Sequence, residues 1–160
     1  MTSTEGFICA GSVGHVGLNL LPAPLPPGRK RNKHGDGPFA RLRMPALPTQ
    51  PGIYLWEAGQ EIVYVGQTRT PLRERLGPRG YATISNYNTF AREPGRQNGG
   101  QETNCRINAL ANAALNSGLE LRIWVMVVEA GEVKDAESRW MATHGVPAWN
   151  RKDERRAHHE

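Results

Sequence analysis

Only two cysteines occur in the 160 residues, Cys9 and Cys105, and no CxxC pair. That excludes a disulfide scaffold and a cysteine-rich zinc module, and leaves two reduced thiols in a cytoplasmic protein as the expectation. No apolar run approaches ~20 residues, so no transmembrane helix and no membrane partner is expected. The opening MTSTEGFICAG has no Lys or Arg ahead of its apolar residues and carries Glu5, which argues against a secretory signal. Hydrophobic residues make up 38%, short of the usual ~45–50% that counts glycine. The 18 glycines close that gap, so the chain should be globular. Its length fits one domain with tails, large enough to bury a core without staples. Glycine and proline together number 30, which predicts long irregular stretches.

The charge is unevenly placed. Residues 1–50 hold six basic residues (Arg29, Lys30, Arg31, Lys33, Arg41, Arg43) against Glu5 and Asp36, or +4 of the overall +5. Residues 51–150 balance ten against ten, and 151–160 add +1. Within 51–106 all seven basic residues are Arg, the side chain suited to bidentate phosphate contacts.

The first fifty residues show no period, and four prolines within LLPAPLPPG exclude a helix there. GRKRNKHG is either a solvated linker or a phosphate-contacting arm, and PFARLRM is a short strand or a turn. Strand composition starts with GIYLW (52–56) and EIVYVG (61–66). A three-residue AGQ loop would set Tyr54 directly opposite Tyr64. Thr70 and Pro71 open a short helix bearing Leu72 and Leu76. Residues 77–104 read as an irregular insertion. From Thr103 a helix carries Ile107, Leu110, Ala111, Ala114 and Leu115 on one face. A buried strand at 119–128, a helix at 133–144 and a charged tail complete the chain.

Gly52-Ile53-Tyr54 on one strand, Tyr64-Val65-Gly66 on the next, Leu72-x-x-Arg75 on a helix, Glu137 on a later helix, then Pro147 and Asn150: this order resembles the GIY-YIG nuclease superfamily over residues 51–151. The resemblance implies an α/β fold with a small antiparallel or mixed sheet flanked by helices. It also implies a DNA phosphodiesterase using one Mg²⁺ (or Mn²⁺) ion per site. By the same resemblance Glu137 is the metal ligand, Tyr54 the general base or a proton relay, and Tyr64 the group orienting the nucleophile or Tyr54. Arg75 becomes the clamp on the scissile phosphate, and Asn150 holds the site by hydrogen bonds. The residue types suit the chemistry, since ester hydrolysis needs a base, a cation and help for the leaving oxygen, and Mg²⁺ commonly takes only one or two carboxylates.

Two departures stand out. Pro71 adds a residue before Arg75, which makes Arg73 a rival. Many family members place His or Tyr one turn after the Arg; here position 79 is Arg79, and either Tyr81 fills the role or the role is absent. A chain of this size resembles most the restriction type, acting on double-stranded DNA as a possible homodimer. Nicking, repair or phage-related nucleases, or a non-cleaving nucleic-acid binder, are the alternatives. Arg92, Arg96, Gln97 and Asn98 are candidates for base readout. Arg29, Lys30, Arg31, Lys33, Arg69, Arg73 and Arg79 are candidates for phosphate contact.

Overall fold

The structure, a computed structural model, describes residues 2–20, 24–78, 80–92 and 101–151. Among these residues one antiparallel sheet runs in the order β2-β1-β5-β3-β4. Its strands are β1 (Ile8–Leu18), β2 (Ala40–Arg43), β3 (Gly52–Ala58), β4 (Glu61–Thr68) and β5 (Leu121–Val127). The helices are α1 (Leu72–Leu76), α2 (Asn86–Thr89), α3 (Glu102–Asn116) and α4 (Val133–His144). The expected α/β class with helices flanking a small sheet is what the chain adopts. No helix of the described residues is long and apolar enough to cross a membrane.

The hairpin of β3 and β4 corrects one expectation. Its turn has two residues, Gly59 and Gln60, so Ala58 faces Glu61 and Glu57 faces Ile62. The register then shifts, and Trp56 faces Tyr64, leaving Val63 as the extra residue of a bulge. The shorter turn moves the pairing by one residue and the bulge moves it by another. Tyr54 therefore lies opposite Gly66 rather than Tyr64. Because the total shift is even, both tyrosines stay on one face, as diagonal neighbours with ring centroids 6.3 Å apart.

The N-terminal residues correct a second expectation. Far from an irregular arm, residues 8–18 form the strand between β2 and β5. Gly11, at φ 136°, stands at the register shift against β5, and Gly17, at φ 157°, at the shift against β2. These backbones suit glycine and bend the strand. Val13 alone of its residues is buried, so no apolar alternation marks β1 in the sequence. Helix α1 differs at its start as well. Pro71 is its cap residue, not Thr70, and makes no side-chain cap bond. Its first N–H groups are instead satisfied from outside, Leu72 N donating to the Gln50 carbonyl and Arg73 N to that of Pro48.

β3 is covered on both faces. Tyr54 and Trp56 pack with Tyr64, Leu72, Leu76, Tyr81, Ile107 and Ala111 on the side of α1 and α3. Ile53 and Leu55 pack with Val65, Ala136, Trp140 and Met141 on the side of α4. Of the expected α3 face, Ile107, Ala111 and Ala114 are buried, while Leu110 and Leu115 are half-buried. The two helical layers meet past the edge strand β4, and that edge is where the conspicuous polar residues gather.

Deleting residues 1–18 removes β1 and exposes the edge of β5. The truncated chain is expected to lose its cooperative thermal transition by circular dichroism. A transition that survives the deletion would show β1 to be dispensable.

Candidate active site

Tyr54, Tyr64, Arg75, Tyr81, Glu137 and Asn150 line one cavity of about 200 Å³, together with Val65, Gly66, Gln67, Thr103 and Arg151. The sheet and three helices each contribute. What lets Tyr54 reach this edge is the residue opposite it. A Cβ on Gly66 would lie 2.4 Å from the Tyr54 Oη and Cζ atoms, so the phenol crosses β4 where that strand has no side chain. Tyr54 is 1% exposed, and its hydroxyl lies 2.7 Å from that of Tyr81. The Tyr81 ring meets those of Tyr54, Tyr64 and Trp56 edge-on, with centroids 6.0, 6.3 and 5.7 Å away. Burial raises the Tyr54 phenol well above the ordinary tyrosine range. Tyr81 and Glu137 push the same way, and Arg75 acts against them. Tyr54 is thus held as a neutral hydroxyl.

Arg75 emerges from the short helix α1 beneath this cluster. Its Nη2 donates to the Tyr81 hydroxyl at 2.9 Å, its Nη1 donates to Asn104 Oδ1 at 2.5 Å, and its Cζ lies 4.3 Å from the Tyr81 ring centroid. Burial opposes the Arg75 charge, but the oxygens of Tyr81, Tyr54 and Tyr64 outweigh it and hold the group protonated. Among the described residues no carboxylate forms an ion pair with Arg75. Its partners are neutral, so its charge is not cancelled locally. Arg73 points elsewhere and lines two cavities shared with Pro78. Of the two, Arg75 is the residue at the site.

Glu137 comes from the opposite layer. Val133, Ala136, Glu137, Trp140 and Met141 form the buried stripe of α4, so a carboxylate occupies a core position and is 3% exposed. Among the described residues no group of three or more His, Cys, Asp or Glu side chains is placed to hold a metal. A single buried carboxylate on a polar cavity does fit Mg²⁺ or Mn²⁺, which commonly keep several waters and take one or two carboxylates. At about 30 Å³ per water, the cavity has room for a hydrated ion.

Asn150 secures the edge itself. Its Oδ1 accepts from Val65 N at 3.0 Å and its Nδ2 donates to Val65 O at 2.9 Å. The side chain amide thereby imitates a neighbouring strand at the residue between Tyr64 and Gly66. Trp149 N donates to Val63 O at 2.7 Å, extending that cover over the bulge.

A second cavity of about 510 Å³ adjoins the first and shares Thr103 and Arg151 with it. Arg31, Lys33 and Arg92 line it, beside Glu102. The basic run is stapled to the insertion rather than trailing as an arm. Arg31 bridges to Phe90, Arg31 Nη1 donates to Thr89 Oγ1 at 3.0 Å, and Ala91 N donates to Lys30 O at 2.7 Å. The Arg29 guanidinium carbon lies 4.4 Å from the Phe90 ring centroid. Lys30 and Arg69 are exposed, Arg69 on the turn before α1. Arg79, Arg96, Gln97 and Asn98 lie outside the described residues.

Thr103, Asn104 and Arg151 escaped the sequence reading. Asn104 had a readable signal: asparagine recurs at 104, 108, 112 and 116, one face of α3. Asn108, fully buried, donates from Nδ2 to the carbonyls of Ala40 and Tyr81. Its place in the ladder therefore fixes the backbone from which Tyr81 reaches the site.

No protein-family profile matches the chain, and no characterised protein matches its sequence. A solved structure of a glutamate-to-alanine mutant of bacteriophage T4 EndoII matches it with a TM-score of 0.48 and 18% sequence identity, over 93% of this chain and 96% of that one.

Replacing Asn150 with Ala strips two hydrogen bonds from Val65 on the edge strand. At about 0.5–1.5 kcal/mol net per bond, a loss of about 1–3 kcal/mol is expected in urea unfolding. A value near zero would show that water replaces the amide at no cost.

Proposed function

We propose that this protein is a metal-dependent endonuclease that hydrolyses phosphodiester bonds in double-stranded DNA, on a GIY-YIG type of site. The observation that carries the reading is the convergence of a guanidinium held by Asn104 and Tyr81 and a buried carboxylate on one small cavity lined by three tyrosines. Phosphodiester hydrolysis needs positive charge at the phosphate, an oriented water and a route for its proton. Arg75 binds a non-bridging phosphate oxygen, and the charge left uncancelled by its neutral partners is what the developing anion meets. Glu137 would hold one Mg²⁺ or Mn²⁺ ion, whose chemistry is to neutralise phosphate charge and make a water more acidic. The attacking water forms the new P–O bond as the bond to the leaving oxygen breaks. Its proton passes along hydroxyls to the leaving oxygen, which departs as an alcohol, and the hydrogen-bonded Tyr54–Tyr81 pair suits such a relay better than a phenolate base, since burial favours the neutral phenol. Tyr64 orients the water or Tyr54, and Asn150 keeps Tyr64 and Gly66 in place.

Duplex DNA would run from this cavity across the adjoining basic one, with Arg31, Lys33, Arg92 and Arg151 on its phosphates. Arg29, Lys30, Arg69, Arg73 and Arg79 are further phosphate candidates. The finer reading is a sequence-specific, restriction-type enzyme with base readout by Arg92, Arg96, Gln97 and Asn98. Cutting both strands of a palindrome requires two such cavities, which a two-fold homodimer supplies.

Glu137→Ala is expected to abolish cleavage of plasmid DNA in Mg²⁺ while band-shift affinity survives, because the phosphate-binding arginines are untouched. Full activity in that variant would remove Glu137 from the metal site. With the unaltered chain, discrete fragments mean site-specific cutting, a smear means non-specific cutting, and a shift without cuts in Mg²⁺ means a binding module.

An N-terminal truncation through the basic run would also take β1 with it, so its charge is tested by substitution. Lys33→Ala with Arg92→Ala removes two exposed charges from the rim. If both touch phosphate, the slope of log affinity against log salt falls by up to about 1.8, at ~0.9 per contact. An unchanged slope would place the duplex elsewhere.

A further inference from the structure

Asn104 is 3% exposed, sits in the first turn of α3 and spends its carbonyl oxygen on Arg75. Its nitrogen donates to Gln101 Oε1 at 2.6 Å, and Asn88 Nδ2 donates to the same oxygen at 2.6 Å. Asn88 Oδ1 in turn accepts from Ser85 N at 2.9 Å and Ser85 Oγ at 2.7 Å. A row of amides thus runs from Arg75 to the first residue before α2.

The chemistry at its two ends leaves this row one orientation. Arg can only donate, so Asn104 must turn its oxygen to Arg75 and its nitrogen to Gln101. A backbone N–H can only donate, so Asn88 must turn its oxygen to Ser85 and its nitrogen to Gln101. Both demands meet on the Gln101 carbonyl, which has two lone pairs and accepts both. An amide flipped anywhere along the row would set donor against donor in a buried place, at a desolvation cost. The row therefore holds Asn104 Oδ1 at one spot, and with it one terminal nitrogen of Arg75. Tyr81 holds the other.

We infer that Asn104 is the positioning residue for Arg75, and that the Asn104–Gln101–Asn88 row makes the aim of the guanidinium depend on α2 being docked against α3. What Arg75 meets, a substrate phosphate, rests on the nuclease reading; the positioning does not. Asn104 touches no substrate itself. The consequence is that the insertion helps set the catalytic geometry from a distance, through neutral groups that leave the Arg75 charge intact.

The test pairs kinetics with the guanidinium's own signals. In the unaltered protein the two terminal nitrogens of Arg75 are expected to give distinct NMR resonances, each pinned by a different acceptor. Asn104→Ala is expected to merge them. The same variant is expected to lower kcat for DNA cleavage by about tenfold to a hundredfold, the range for a misplaced reacting group, with KM unchanged. Asn104→Ala added to Arg75→Ala is expected to lower kcat no further, since its effect passes through that side chain. Gln101→Ala, at a half-buried position, loosens Asn104 without removing it and covers the case in which Asn104→Ala fails to fold. It is expected to broaden the Arg75 signals and to lower kcat less, again at constant KM. Unchanged Arg75 resonances in either folded variant, or an equal kcat loss with and without Arg75, would overturn the inference. Merged resonances in a protein that cuts no DNA in Mg²⁺ would sustain the positioning and sink the nuclease reading.

Discussion

The arrangement turns on one buried cation, Arg75, satisfied by neutral oxygens. A charge removed from water is costly, and proteins usually offset the cost with a carboxylate. Here the offset comes from the Tyr81 hydroxyl and face, from the Asn104 amide and from the tyrosines around them. Glu137 enters the same cavity from the other layer and adds to the upward push on the Tyr54 phenol. The result is a cation held between two acceptors on the wall of the cavity. Under the proposed function, a phosphate entering that cavity would meet this charge directly.

Keeping the cation and the carboxylate apart yet facing one cavity is a problem of sheet geometry. Tyr54 and Tyr64 belong to one face, and Glu137 packs with the other. They meet because β4 is an edge strand and because its residue opposite Tyr54 is glycine. The bulge at Val63 restores the face of Tyr64 after the short turn has shifted the register. Asn150 then closes the exposed edge with a pair of bonds to Val65. Turn, bulge, glycine and amide clamp act together on five residues of one strand. Loss of any of them would move a phenol relative to the carboxylate.

Which parts of this were legible follows from what each part leaves in the sequence. Helix α4 and strand β5 could be placed because their apolar patterns are long and regular. Tyr54, Tyr64, Arg75 and Glu137 could be brought together from the order of motifs, and Tyr81 only as one of two choices, because a Gly-Pro loop carries no periodicity. Strand β1 was illegible: its glycines, at φ values of 136° and 157°, mark bulges, and its side chains are mostly exposed. The hairpin register differs from the one its turn sequence suggests by an even number, so the face of each tyrosine is unchanged. The asparagine ladder is visible at four-residue spacing but is a weak signal, because asparagine is ordinarily a poor helix former with a place at caps and turns. Its buried, hydrogen-bonded role depends on partners from residues 38–40 and 75–81 that no local window contains.

The same reasoning changes how the basic N-terminal run should be understood. An appended arm would add affinity and leave the chemistry alone, so affinity and rate would be separable by truncation. In this fold Lys30 and Arg31 pair with residues 90 and 91, and Asn32 binds the carbonyls of Asn88 and Thr89. Those residues flank the amide row that reaches Arg75. The run therefore braces the segment that aims the cation, while its charged tips face the cavity beside it. Backbone contacts carry the bracing, and under the proposed function the side-chain charges would carry the phosphate attraction. The two contributions separate by substitution of the tips, and by no deletion that removes the backbone beneath them.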